Sequence, residues 1–330
     1  MLRAIVAILD WEIHVIDVTS AFLNSKMPED QTAYLSQPPG YVAKGKEDFV
    51  WKLGKALYSL KQSGHLWHQK LKGILEQIGF LHASQTHVSS FIRPSAATSI
   101  ISSHIDDLGL YYSSKEEVQL LKSQIRKHVS IKDLGEIQSI LDIEVIHDRK
   151  ACTVSFSHHH YIDEVVTRFG QTSAKNVQSP IEMGTHLNLS QCPSTPDEIS
   201  QMCLNLYQAA VGSLNHAAVM TWPDIAKAVQ TVAQFSSNPG KHHWDAVICI
   251  IHYLKTTWNW VLTLGGKSAA IEILGYSDAD HANSPDHGRS ISGYAMMLGN
   301  GCFSWSSKKQ TATALFTGEA EYYATVHGRS

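Results

Sequence analysis

The sequence predicts an α+β protein: a split βαβ sheet, a helical connecting region and a smaller mixed sheet. Three observations carry this. Short runs in the first 150 positions alternate at the strand period, with helix-period runs between them. A stretch near 176–200, rich in Pro, Ser and Thr, separates that part from a helical one. A Gly-Asn-Gly turn between alternating runs then marks a hairpin at Gly299-Asn300-Gly301. A chain of 330 residues has room for two or three domains at roughly 100–200 residues each. We expect segments 1–175, 176–268 and 269–330.

Taken in order, Glu12–Val18 alternates polar and apolar residues as a strand does. Residues 66–78 place Leu66, Trp67, Leu71, Ile74, Leu75 and Ile78 at helical spacing, and Gly79 closes the run. Ser99–Ser103 is apolar and β-branched, runs into His104-Ile105-Asp106-Asp107, and Leu108–Tyr112 resumes the strand pattern. Asp106 and Asp107 are thus expected at the tip of a hairpin-like turn. A second amphipathic helix carries Val118, Leu121, Ile125 and Val129 on one face. Strand–helix–strand–strand–helix–strand is the order of a split βαβ sheet. Pro180, Gly184, Pro193 and Pro196 punctuate a linker, and residues 204–256 read as helical. One of those helices is expected to start near Thr221, with Pro223 in its first turn and Ile225, Ala228, Val229, Val232 and Phe235 buried. Ile271–Ser277, Ser292–Leu298 and Cys302–Ser306 read as strands, and Gly318–Val326 as the first turns of a helix.

Composition narrows the function classes. Hydrophobic residues make up 43% and charged residues 17%, which excludes a wholly disordered chain. No apolar run approaches the ~18 residues of a membrane span. Met1–Leu9 is short enough for a signal core, but Asp10-Trp11-Glu12 follow with no small-residue cleavage site. Neither a membrane nor secretion is expected. The net charge is −3, and the first 150 residues carry 17 basic and 17 acidic side chains. Neither half shows the basic excess of an electrostatic nucleic-acid binder. Five scattered cysteines without a C-x-x-C spacing fit reduced thiols and argue against a disulfide framework or a zinc site.

The sharpest chemical feature is Asp106-Asp107 together with Asp17 at the end of an earlier strand. Adjacent strands of one sheet could gather the three carboxylates. Metal-assisted phosphoryl transfer needs such a cluster, with two divalent ions about 3.5–4 Å apart. Without cations, like charges this close repel. Asp-Asp is also a common solvated turn dipeptide, and the local residues alone favour that plainer reading. His158-His159-His160 invites a metal site, but three consecutive residues cannot all face one ion, so a solvated run is expected.

Context changes the balance. Asp17-Val18-Thr19-Ser20-Ala21-Phe22-Leu23-Asn24 resembles motif A of the reverse transcriptases of copia-type (pseudovirus) retrotransposons. Matching strings follow in order: Gln37-Pro38-Pro39-Gly40-Tyr41, Ala56-Leu57-Tyr58-Ser59-Leu60-Lys61-Gln62-Ser63 through Trp67, His104-Ile105-Asp106-Asp107, and Lys132-Asp133-Leu134-Gly135. Further on come Val211-Gly212-Ser213-Leu214, Trp222-Pro223-Asp224-Ile225-Ala226, and Gly275-Tyr276-Ser277-Asp278-Ala279-Asp280. Ser292-Gly293-Tyr294, Ser304-Trp305-Ser306-Ser307-Lys308-Lys309-Gln310 and Glu319-Ala320-Glu321-Tyr322 complete the series. Each string is weak alone; the collinear set covers almost the whole chain.

The resemblance implies the reverse transcriptase and ribonuclease H region of a Pol polyprotein of a transposable element. In that family the first segment would be the polymerase palm and start of the thumb, the second the helical thumb and connection, and the third a ribonuclease H-like sheet. Asp17, Asp106 and Asp107 would be the catalytic carboxylates binding two Mg2+ or Mn2+ ions. Phe22 would be the steric gate that occupies the space of a ribonucleotide 2′-hydroxyl, or simply a core ring beneath a strand. Gln62 would lie near the incoming nucleotide, and Lys61 or Lys132 could touch phosphates. Asp278 and Glu321 would be the first two carboxylates of the ribonuclease H, also metal-binding; Asp280 would be a neighbouring ligand or a turn residue. Implied partners are an RNA template, a DNA primer, the RNA–DNA hybrid, deoxynucleoside triphosphates and other polyprotein segments. The implied location is intracellular, in cytoplasmic virus-like particles or the nucleus.

Several positions depart from the family pattern. His104 stands for a tyrosine, Ser25 and Asp142 for glycines, His87-Val88 for Asp-Pro, and His281 for a tryptophan. The chain also starts shortly before motif A and ends at Ser330, so most of the fingers and the remaining ribonuclease H aspartates are expected to be missing. Two expectations follow: an RNA-directed DNA polymerase with attached ribonuclease H, or a truncated, inactive remnant with at most nucleic-acid binding.

Overall fold

A computed structural model of the protein describes residues 2–83, 89–93, 99–182, 184–267, 271–282 and 286–329. His87 and Val88 lie outside them. The chain forms two compact units, residues 10–137 and residues 1–9 with 138–330. The expected boundaries at 175/176 and 268/269 both fall inside the second unit.

In the unit 10–137 the strands are β1 (Glu12–Val18), β2 (Tyr34–Ser36), β3 (Val50–Lys52), β4 (Leu81–Ala83), β5 (Ser89–Arg93), β6 (Ser99–His104), β7 (Asp107–Tyr112) and β8 (Ile131–Glu136). Six of them form one antiparallel sheet in the order β4-β5-β6-β7-β1-β8, while β2 and β3 pair separately as a ribbon. The expected split βαβ arrangement is formed by β6-β7-β1-β8, and β4 and β5, which extend it on one side, are additions that the periodicity did not mark. Helices Ser63–Gln77 and Lys115–Arg126 cover one face. Ile16, Val18, Leu108, Leu110 and Tyr112 project from that face at the strand period and pack with Leu71, Leu75, Val118, Leu121 and Ile125. Gly79, at φ 91°, and the Phe80 amide bonded back to the Leu75 carbonyl close the first helix. The Ser114 hydroxyl accepts from the Glu117 amide and caps the second.

The second unit contains a four-stranded antiparallel sheet of β9 (Ser139–Ile140), β10 (Ile143–Asp148), β11 (Thr153–Ser157) and β12 (Leu262–Gly265), in the order β12-β11-β10-β9. Helix Leu2–Ile8 packs on β11 and β12. Helices His159–Arg168, Tyr207–Met220, Ala226–Ala233 and Lys241–Thr256 share an apolar core. The helix expected from Thr221 begins instead as a 3-10 turn at Pro223–Ile225, and its predicted face is buried as expected. The expected linker holds a further helix, Pro196–Cys203, started by a capping box between Thr195 and Glu198. Strands β13 (Ile273–Asp280), β14 (Ile291–Leu298) and β15 (Gly301–Lys309) form a third antiparallel sheet, against which helix Thr317–Arg329 packs. The fold is therefore mixed α and β with several antiparallel sheets. No described helix is long and apolar enough to cross a membrane.

Candidate active site

Four strands of the first sheet build the site. β6 and β7 form a tight hairpin, with His104 opposite Asp107 and only Ile105 and Asp106 between them. Asp106 occupies the turn as expected; Asp107 is the first residue of β7. β1 lies beside β7 with Asp17 opposite Asp107, and β8 flanks it on the other side with Lys132 opposite Asp17. Directly opposed residues project from the same face. His104, Asp107, Asp17 and Lys132 thus form one row across four strands, one step in register from the core-facing row Leu108 and Ile16. The Val18 amide donates to the Asp106 carbonyl at 2.9 Å, which brings the turn against the end of β1. Ile105 takes φ 53°, uncommon for a β-branched residue, so the turn is held against its own preference.

The gathered charges are unbalanced. Burial, then the negative charges of Asp17 and Asp106, raise the Asp107 carboxyl above the usual carboxylate range; His104 opposes the shift. Asp106 Oδ2 accepts from the Tyr58 hydroxyl at 2.8 Å, whereas Oδ1 is buried without a partner. Carboxylate oxygens of this kind suit Mg2+ or Mn2+, and an unpaired buried one fits a cation better than it fits an apo protein. Among the described residues no three His, Cys, Asp or Glu side chains stand in a ready-made chelating group. Mg2+ characteristically binds through one or two carboxylates, waters and substrate phosphates, so such a cage is not required.

The segment Ala56–Trp67 supplies what the residue-by-residue expectation missed. Trp67 is buried and its Nε1 donates to the Ile105 carbonyl at 2.7 Å, pinning the hairpin turn. Tyr58 reaches the adjacent carboxylate, and its ring lies 4.6 Å from that of Phe22. Phe22 also packs against the core, so it stands at the border between core and site. Both Tyr58 and Trp67 lie in the matched string, but no local spacing announces a contact across 48 residues. Gln62 precedes helix Ser63–Gln77 without capping it. Lys61 and Lys132 are exposed.

The other candidates fare differently. Asp278 lies on β13 and is exposed, and half-buried Glu321 is on helix Thr317–Arg329. Ser277 and Thr325 hydroxyls, 3.2 Å apart, join these elements. Asp280 ends β13 and accepts from Lys227 at 2.7 Å, so it is not a turn residue. His158 corrects the expectation of a solvated run. It is buried, bonded to Thr221 Oγ1 at 2.8 Å, and burial pushes its imidazole down to about 4. Leu141 and Asp142 form a two-residue turn between β9 and β10 with φ 51° and 62°, a conformation suited to Asn-Gly. The Ser25 hydroxyl is buried without a partner.

The profile of the family described as reverse transcriptase (RNA-dependent DNA polymerase) matches residues 1–183. The chain is 37% identical to the Retrovirus-related Pol polyprotein from transposon TNT 1-94 of Nicotiana tabacum, over 97% of this chain and 24% of that protein. It is 32% identical to the corresponding polyprotein from transposon RE1 of Arabidopsis thaliana, over 97% of this chain and 21% of the relative. A putative transposon Ty5-1 protein of Saccharomyces cerevisiae is 30% identical, over 93% of this chain and 97% of its own length. The chain thus spans about a quarter or less of the two plant polyproteins. It belongs to the reverse transcriptase (RNA-dependent DNA polymerase) family, among the copia-type retrotransposon Pol sequences.

Proposed function

We propose that this chain carries the palm of an RNA-directed DNA polymerase, which joins a primer 3′-hydroxyl to the α-phosphate of a deoxynucleoside triphosphate opposite an RNA template. The observation that carries the reading is the placing of Asp17 opposite Asp107 with Asp106 in the adjoining turn, where burial, then the charges of Asp17 and Asp106, raise the Asp107 carboxyl. These three carboxylates would hold two Mg2+ or Mn2+ ions, which supply charge stabilisation to the attacking and leaving oxygens. The protein's own part is positional. β1 and β7 fix two of the carboxylates in register, and the turn pinned by Trp67 fixes the third. The Phe22 ring would exclude a 2′-hydroxyl, the group that separates ribonucleotides from deoxynucleotides at the sugar. Gln62 lies near the nucleotide, and Lys132, beside Asp17 in the row, faces phosphate.

Asp278 and Glu321 belong in this proposal to a ribonuclease H-like site acting on the RNA–DNA hybrid, supported by the packing of their strand and helix. Other segments of a polyprotein are its natural partners, in keeping with the short share of the plant relatives that the chain covers.

Primer extension on an RNA template tests the polymerase reading. The chain, supplied with deoxynucleotides and Mg2+ or Mn2+, is expected to extend the primer, and the double variant Asp106→Asn, Asp107→Asn to leave it unextended. A folded parent that fails to extend overturns the polymerase reading for this chain.

A further inference from the structure

Tyr58 is bound to the carboxylate site through both of its chemical parts. An ionised carboxylate can only accept, so the single proton of the Tyr58 hydroxyl is directed to Asp106 Oδ2, 2.8 Å away. The hydrogen bond therefore has one direction only. It leaves Oδ1 as the unpartnered oxygen of the buried side of that carboxylate.

We propose that Tyr58 is a positioning residue for the divalent cation: by holding Oδ2 it fixes the rotation of the Asp106 carboxylate and presents Oδ1 as the ligand oxygen. The inference rests on the two-metal reading of Asp17, Asp106 and Asp107. Ligating carboxylates are commonly held by hydrogen bonds from residues that never touch the metal, and the loss of such a partner weakens binding. Trp67 acts beside it by a separate route, holding the backbone of the same turn rather than the side chain. The Tyr58 ring has a different neighbour, Phe22, and keeps that neighbour when the hydroxyl is removed. Tyr58 is also 48% exposed, so replacing it with phenylalanine leaves no buried cavity.

The test is Mn2+ binding to the full chain, followed by the electron paramagnetic resonance signal of free Mn2+. Parent, Tyr58→Phe and Asp106→Asn are compared, with folding checked by circular dichroism. The Mn2+ that Asp106→Asn no longer binds defines the site. At that site Tyr58→Phe is expected to weaken binding by about 10-fold, the lower end of the effect of removing such a partner. Equal or tighter Mn2+ binding by Tyr58→Phe overturns the positioning role. If parent and Asp106→Asn bind Mn2+ alike, the metal reading of the carboxylates falls, and this inference falls with it. A purely structural role for Tyr58 would move the unfolding midpoint and leave the Mn2+ isotherm unchanged, which also counts against the proposal.

Discussion

Asp133 and Asp107 sit on the same sheet, one register step apart, and have opposite electrostatic fates. Asp133 lies opposite Ile16, in the row that faces the helices, and Asp107 lies opposite Asp17 in the row on the other face. From the helix side the buried Lys122 donates to Asp133 at 2.6 Å and contacts His14 Nδ1 at 2.9 Å, with Arg126 adding a longer contact at 3.4 Å. Burial alone would raise the Asp133 carboxyl; the Lys122 hydrogen bond, the Gly135 amide and the two cations outweigh it and lower it. Asp107 has burial and two carboxylates against it, and His104 alone in its favour. The first group is neutralised by its own cations, Lys122 and Arg126.

Asp133→Ala strands the Lys122 ammonium in the core, and is expected to cost about 3 kcal/mol in urea unfolding. A loss well below about 1 kcal/mol would mean that His14 and water already satisfy Lys122. Asp142 is a control for charge without a cluster. Its turn conformation, not its carboxylate, is the burden, so Asp142→Gly is expected to stabilise by about 1 kcal/mol while Asp142→Asn changes little. Equal gains from both would assign the burden to charge.

The smallest expected effect has the opposite sign to the first. Without divalent metal, Asp107→Asn removes a like-charge pair with Asp17 and is expected to stabilise the chain by about 0.5 kcal/mol. The pH dependences also diverge. Asp133, depressed in the fold, contributes stability above its unfolded value, and that contribution is lost as pH falls through its folded value. Asp107, raised in the fold, favours the protonated state, so its share of stability is lost as pH rises through its raised value. Unfolding measured from about pH 3 to 7 should therefore show Asp107→Asn gaining on the parent toward neutrality. A constant difference across that range would place the burden of Asp107 elsewhere than in its charge.

Much of the first unit was legible because its information is local. β1 and β7 are rich in apolar and aromatic residues, and Asp17, Asp106 and Asp107 sit at or beside their ends. Helix Pro196–Cys203 was also written in the sequence, as Thr195 and Glu198 at capping-box spacing, although the surrounding Pro and Ser residues argued for a linker. Other features had no local signature. The strand β12 joins β11 more than a hundred positions earlier, and Tyr58 meets Asp106 across 48. His158 looks like any member of a polar run until Thr221 and the neighbouring helices enclose it. Asp142 departs from glycine at a position whose positive φ makes the cost of that departure visible only in three dimensions.

Helix Leu2–Ile8 is synthesised well before one of its partners, β12, which lies roughly 250 positions further along the chain. At roughly 5–20 residues per second, synthesis of the intervening chain takes on the order of 10–50 s. For that interval the apolar side of the helix, with Ala4, Val6 and Ala7, has no β12 to cover it. The segment 10–137 is complete long before, with its own sheet and core, and can fold while the later strands are still being made. The topology thus sets a birth order in which the inserted unit matures first and the unit that holds both helix Leu2–Ile8 and β12 closes later.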